Sequence, residues 1–159
     1  MMPVEYMKRI RDKYAAGGYL PYKWAINEDP PWQPLRKPLS ECRLGLIASG
    51  GIYVTGQVAF HYKDDTSFRS ILREVKTEDL RATHFAYNLT EARRDPNVVF
   101  PIDTLRRLEK EGFIGELAPH LYTFMGGIYS AKRVVEELAS QLIERLLEEN
   151  VDAVLLVPV

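Results

Sequence analysis

The sequence predicts an α/β fold: a mostly parallel sheet flanked by helices, preceded by a Pro- and aromatic-rich N-terminal arm. Three observations carry this expectation. Between Ser130 and Asn150, apolar residues recur at Val134, Val135, Leu138, Leu142, Ile143, Leu146 and Leu147, the spacing of a helix with one buried stripe. Val151 to Val157 follows as a nearly all-apolar run, which reads as a strand covered on both faces in a parallel sheet. Arg43 to Ser49 is another such run, ended by Gly50-Gly51. A helix feeding a strand of this kind is half of a βαβ unit.

The elements follow in order. Pro3 to Ala16 reads as a short helix with Val4, Met7, Ile10 and Tyr14 on one side, broken by Gly17-Gly18; its expected role is packing or oligomer contact. Tyr19 to Ser40 contains Pro21, Pro30, Pro31, Pro34 and Pro38, which rule out a regular helix or a central strand. It should be an extended arm anchored by Tyr19, Tyr22, Trp24 and Trp32, covering its own core or lining a subunit or ligand wall. Ile52 to Val54 continues as strand, Gln57 to Asp65 is a polar loop, and Asp65 to Ile71 carries a weak strand signal. Leu80 to Ala86 is strand or extended chain, and Thr90 to Arg94 a helical turn. Asn97 to Phe100 is a short apolar run before Pro101, which suits the first turn of a helix over Ile102 to Glu111, with Leu105 and Leu108 inward and Gly112 as the stop. Leu121 to Met125 is a further strand, ended by Gly126-Gly127; Ser130 can cap the final helix and Asn150 can end it.

Length and composition bound the function. At 159 residues the chain reads as one α/β domain, with a helix and arm over 1–42 and a core over 43–159. Hydrophobic content of 46% and charged content of 27% are those of an ordinary globular protein. A net charge of -1 offers no basic field for nucleic acid and no polybasic membrane patch. The lone Cys42 excludes an intrachain disulfide framework, no 18-residue apolar run is present, and the first residues are charged throughout; the expected location is the cytoplasm.

The chemistry should lie past the carboxyl ends of the strands, where ligands collect in open α/β sheets. Ser49-Gly50-Gly51 stands there, either as a plain turn or as a loop whose small residues let backbone approach a ligand oxygen. Phe124-Met125-Gly126 ends a second strand, so both loops can line one crevice. Neither is a dinucleotide or phosphate loop, because the G-x-G-x-x-G and Gly-Lys-Ser/Thr patterns are missing. His84 is either a satisfied core histidine or, facing the crevice, a catalytic proton donor or carboxylate ligand. Arg69 could clamp a substrate carboxylate, or pair with Asp65 or Glu74. His61, His84 and His120 lack helical ligand spacing, so no metal site is expected, and Cys42, before the first strand, reads as an inert buried thiol.

Several segments resemble a known family. Gly50-Gly51 after an apolar strand, Asp65-Thr66-Ser67-Phe68-Arg69, Thr83-His84-Phe85-Ala86-Tyr87, the run from Asp95 to Leu105 and the run from Glu111 to Gly126 occur in the order found in the selenoprotein B family. These are the selenocysteine- or cysteine-bearing subunits of glycine, sarcosine, betaine and D-proline reductases. The resemblance covers about Leu44 to Val159, and Asp95 to Gly126 is its most specific part. It implies a role in reductive cleavage of a C–N bond in a small amino acid or amine. In that chemistry a selenolate or thiolate attacks the carbon bearing nitrogen, and a partner reductase subunit supplies a pyruvoyl group. A dithiol or thioredoxin-like donor provides electrons. The resemblance also implies a homo- or hetero-oligomer.

The family's U-x-x-C or C-x-x-C-type motif directly follows the strand matching Val151 to Val157. The sequence here has no such motif and no selenocysteine through Val159, and Cys42 does not match the position. The expectation is a truncated chain, the N-terminal part of a longer family protein and inactive alone; either its DNA continues in frame past a UGA codon, or the chain is a deliberate truncation or a naturally short paralogue. The alternative function is a non-catalytic ligand-binding or assembly module, docking through the arm and the last strand.

Overall fold

The computed structural model describes residues 3–21, 26 and 28–159. The chain divides into two compact units, Met1–Pro34 and Leu35–Val159, so the division falls inside the Pro-rich stretch rather than after Cys42. Among the described residues, no helix is long and apolar enough to cross a membrane.

The first unit holds helix α1 (Tyr6–Ala16), which runs into Gly17 and the left-handed Gly18, at φ 79°. None of its residues is buried; of the apolar row seen in the sequence, Val4, Met7 and Tyr14 are exposed and Ile10 is half-buried. Tyr19 lies edge-on to Tyr14 with ring centroids 6.1 Å apart. Tyr19 and Trp32 are themselves exposed and do not anchor the arm as expected, while Tyr22 and Trp24 lie outside the described residues.

The second unit is built on strand β1 (Arg43–Ala48), buried at four of its six positions. Strand β7 (Ala153–Val157) pairs parallel with it, from Leu44 opposite Ala153 to Ala48 opposite Val157. Along the other side of β1, two segments lie in line: β5 (Glu116–Leu117) and β6 (His120–Phe124), both parallel to β1. Strand β3 (Phe68–Leu72) closes that side antiparallel to β6, Phe68 opposite Phe124 and Leu72 opposite His120. The sheet is therefore mostly parallel with one antiparallel edge, as the sequence predicts. A separate antiparallel ribbon pairs β2 (Ile52–Val54) with β4 (Leu80–Ala82).

Helices cover both faces. On one, α2 (Thr90–Arg94) and α3 (Ile102–Lys110) bring Ala92, Ile102 and Leu105 against Leu44, Leu46 and Ala48, with Phe100 and Leu121 in the same core. The apolar run before Pro101 forms a 3₁₀ turn over Pro96–Val98, capped by the Asp95 carboxylate, which accepts from the Asn97 N–H at 3.0 Å. On the other face lies a helical rod of α4 (Ala131–Arg133), a π-helical stretch (Val134–Ala139) and α5 (Ser140–Glu148). Ser130 Oγ accepts from the Arg133 N–H at its start, and Asn150, at φ 55°, turns the chain out of its end. Leu138, Leu142 and Leu146 are the buried stripe, packing on Tyr122 and Ile47. Gly45 lets the rod lie close to β1, since a Cβ there would sit 3.0 Å from Leu146 and 3.2 Å from Val151.

The last strand departs from expectation. Val154, Leu155 and Leu156 are exposed, so this run is not covered on both faces as a doubly wound strand would be. β7 is hydrogen-bonded to β1 alone and forms the sheet's other edge, with only Ala153 and Val157 packed on the core. The rod's stripe is also narrower than predicted: Val135, Ile143 and Leu147 are exposed.

Candidate functional site

Three strands end together. Ser49, one residue past β1, donates its N–H to Val157 O of β7 at 3.0 Å and accepts on its carbonyl from the Gly126 N–H at 2.9 Å. Its hydroxyl accepts from the Val159 N–H at 2.9 Å. The Gly51 N–H donates to Phe124 O at 2.9 Å, and Gly50 forms an isolated bridge to Met125. The loops after β1 and β6 thus interlock, with the tip of β7 beside them. Gly51 is at φ 69°, and a Cβ on it would fall 1.9 Å from Thr83 O, whose own N–H donates to Gly51 O. Gly50 faces Val99 at 2.9 Å from the position a Cβ would take, with Val159 at 3.4 Å. The small residues therefore serve close approach of backbone to backbone, a need that only glycine meets at Gly51.

The segment after β4 closes the group. The Tyr87 hydroxyl donates to Gly50 O at 2.8 Å, and burial pushes this phenol upward in pKa against a smaller opposing pull from Arg93. His84 is buried, with its ring 4.7 Å from that of Tyr87 and 5.7 Å from that of Phe85. Its Nδ1 accepts from the Ala86 N–H at 3.0 Å, and burial lowers its pKa from the ordinary histidine value. Its other nitrogen, Nε2, is buried without a hydrogen-bond partner.

Ser49, Gly50, Gly51, Phe124, Met125 and Gly126 therefore come together, with His84 adjoining through Thr83 and Gly51. Met125 is fully buried and forms the inner wall rather than an accessible lining. Arg69 is engaged elsewhere: Nε donates to Val58 O at 2.7 Å, and the other nitrogens reach Ala59 O, Phe68 O and Ser67 Oγ. Its guanidinium also stacks 4.3 Å over the Phe60 ring. It braces the 57–67 loop and reaches Asp65 only across the Ser67 hydroxyl, its charge helping to lower that carboxyl's pKa, while Glu74 pairs with Arg73. Cys42 is buried at the opposite end of β1, its thiol against Lys37 O and Pro38 O. Tyr87, Val99 and Val159 escaped sequence reasoning, since nothing in an isolated tyrosine or valine tells which carbonyl or glycine it will meet.

A family model described as glycine/sarcosine/betaine reductase selenoprotein B matches residues 7–159. The chain belongs to this family. Among curated selenoprotein B relatives, the D-proline reductase subunit gamma of Acetoanaerobium sticklandii is 37% identical over 131 residues, covering 82% of this chain and 54% of that protein. The glycine reductase complex component B subunit gamma of Symbiobacterium thermophilum is 32% identical over 135 residues, 80% of this chain and 30% of that protein. The sarcosine reductase complex component B subunit beta of Peptoclostridium acidaminophilum is 30% identical over 147 residues, 85% of this chain and 32% of that protein. The chain thus spans about half the length of the first relative and about a third of the other two. No solved structure matches it at comparable significance.

Proposed function

We propose that this chain is part of a reductase subunit acting in reductive cleavage of the C–N bond of a small amino acid or amine, of the glycine, sarcosine, betaine or D-proline type. The single observation that carries the proposal is Ser49, which joins the tip of β7 to the Gly126 loop inside the family match. The chain's own work in this reading is to hold substrate at the joined strand ends, against Ser49, Gly50, Gly51 and Gly126 on the backbone side and His84 on the other. Phe124 and Met125 set the wall behind them.

Two groups outside residues 1–159 complete the chemistry: a selenolate or thiolate as nucleophile, and a partner subunit's pyruvoyl carbonyl as the electrophile for the amine. The nucleophile would bond to the carbon bearing nitrogen as the C–N bond breaks, the amine leaving with the bonding pair and taking a proton; a dithiol would then reduce the carbon–selenium or carbon–sulfur bond, giving C–H, the regenerated nucleophile and a disulfide. On this reading the 159-residue chain is inactive by itself.

The test is reconstitution. The chain is expressed with its surrounding coding sequence and the neighbouring reductase subunits, and dithiol-dependent consumption of glycine, sarcosine, betaine and D-proline is measured. One of the four should be consumed by the complex and none by the 159-residue chain. An assembled complex that consumes none leaves the assembly reading, which the exposed side chains of Val4, Met7 and Trp32 favour.

A further inference from the structure

Among the described residues, Nε2 of His84 is the buried side-chain nitrogen or oxygen that lacks a hydrogen-bond partner. The other ring nitrogen decides the tautomer. Nδ1 accepts from the Ala86 N–H, so it carries no proton, and burial keeps the ring neutral near pH 7. The one remaining proton is on Nε2, which makes that atom a donor. Native structures pair nearly all buried donors, and an orphan calls for a reason in ligand, water or strain.

Its surroundings supply one. His84 directly follows Thr83, whose carbonyl crowds Gly51, and the His84 Cβ lies 3.7 Å from where a Gly51 side chain would begin. Tyr87, in ring contact with the imidazole, ties down Gly50 O. Phe85 also neighbours the ring, within 18° of parallel to the imidazole at 5.7 Å between centroids, and is 42% exposed. Phe85 rests directly on Gly127, where a Cβ would stand 1.9 Å from the ring. Apart from Gly127, the imidazole and the Tyr129 ring 6.5 Å away, Phe85 faces solvent, so it is not held on all sides as a core phenylalanine is.

We propose that His84 is a tautomer-locked Nε2–H donor for the carboxylate of a small amino-acid substrate, and that Phe85 is the movable cover above it. The choice of a carboxylate rests on the substrate class proposed above. Glycine, sarcosine, betaine and D-proline differ in their substituents and share the α-carboxylate, so a donor for that group would serve any of them. The rival acceptor is the Tyr87 ring face, which would satisfy the same N–H without any ligand.

Nitrogen-15 NMR of the imidazoles in the 159-residue chain tests this. In the unliganded chain, His84 should show a bare Nδ1 and a protonated Nε2. Betaine, glycine and D-proline should each move the Nε2–H resonance saturably, while trimethylamine, methylamine and pyrrolidine at equal concentrations do not. His84→Asn keeps an oxygen where Nδ1 accepts from Ala86, so it should fold normally and weaken the betaine response by more than about tenfold. His84→Gln places an amide N–H near the Nε2 position and should restore part of it. Phe85→Ala should lower the half-saturating concentration roughly tenfold, as expected for a cover open about one-tenth of the time.

A ring protonated on Nδ1, a response to the amines equal to that of the amino acids, or no response to either overturns the inference, as does a half-saturation untouched by Phe85→Ala. A silent resonance that shifts only on Tyr87→Leu assigns the proton to the tyrosine ring instead. None of these outcomes bears on whether the assembled complex consumes an amino acid, so the reductase reading fails or stands in its own experiment.

Discussion

Replacing Gly51 by alanine isolates the close approach on which the strand-end junction depends. Two effects act at this position. The first is conformational: φ is 69°, and an L-residue held in the left-handed region costs about 1–2 kcal/mol. The second is steric: the new Cβ would stand 1.9 Å from Thr83 O, which must retreat by more than 1 Å to reach even the 3.0 Å that real contacts allow. That retreat breaks the 2.9 Å bond from Thr83 N–H to Gly51 O and strains the bond from Gly51 N–H to Phe124 O. A buried polar group left without a partner costs about 1–3 kcal/mol. Gly51→Ala should therefore destabilise the chain by roughly 2–5 kcal/mol, at about 2–4 °C of Tm per kcal/mol for a chain of this size. Gly56→Ala is the control, because Gly56 shares the positive φ, at 97°, with nothing within 4 Å of its Cβ. It should lose only the conformational part, about 1 kcal/mol. Both are read by thermal and urea unfolding followed by circular dichroism. Equal losses in the two variants would refute the close-approach argument and leave Gly51 as an ordinary turn glycine.

Two further predictions follow from buried groups. Thr123 is fully buried and its Oγ1 accepts from the Ile52 N–H at 3.2 Å, linking the sheet to the β2–β4 ribbon. Thr123→Val keeps the shape, orphans that N–H and should cost about 1–3 kcal/mol in urea unfolding; a variant as stable as the parent chain would show that the link is idle. Burial, reinforced by the nearby Glu149 carboxylate, pushes the Tyr122 phenol up to about 12. The unfolded chain loses this proton near pH 10, so the folded state binds more protons between the two values. The stabilisation from Tyr122 is complete below about pH 10 and disappears as pH rises toward 12, checked by ultraviolet phenolate titration against Tyr122→Phe.

Much of the architecture was legible because local chemistry and tertiary packing agree. Ser130 and Asn150 mark the rod's ends, Pro101 opens α3, and Gly50 and Gly126 stop their strands. The misreadings arose where a pattern is silent about neighbours. An apolar run such as Val154-Leu155-Leu156 has the composition of a doubly covered strand, yet composition does not say how many layers the fold lays over it. Arg69 has the charge of a carboxylate clamp, but five fixed donors suit loop carbonyls as well, and only coordinates show which acceptors arrive. His84 was visible as a candidate; that one nitrogen is pinned and the other orphaned was not, since both facts depend on how the chain turns at Ala86 and Tyr87.

Ser49 has a consequence for motion. Its amide, carbonyl and hydroxyl each hold a different segment: Val157 in β7, Gly126 after β6, and Val159 at the tip. The most deeply buried strand thus grips both neighbours through a single residue, and thermal excursions of the tip and of the glycine loop cannot be independent. Amide exchange at Gly126 and Val159 should then rise and fall together under mild denaturant, as one breathing unit whose hinge is the hydroxyl of a serine.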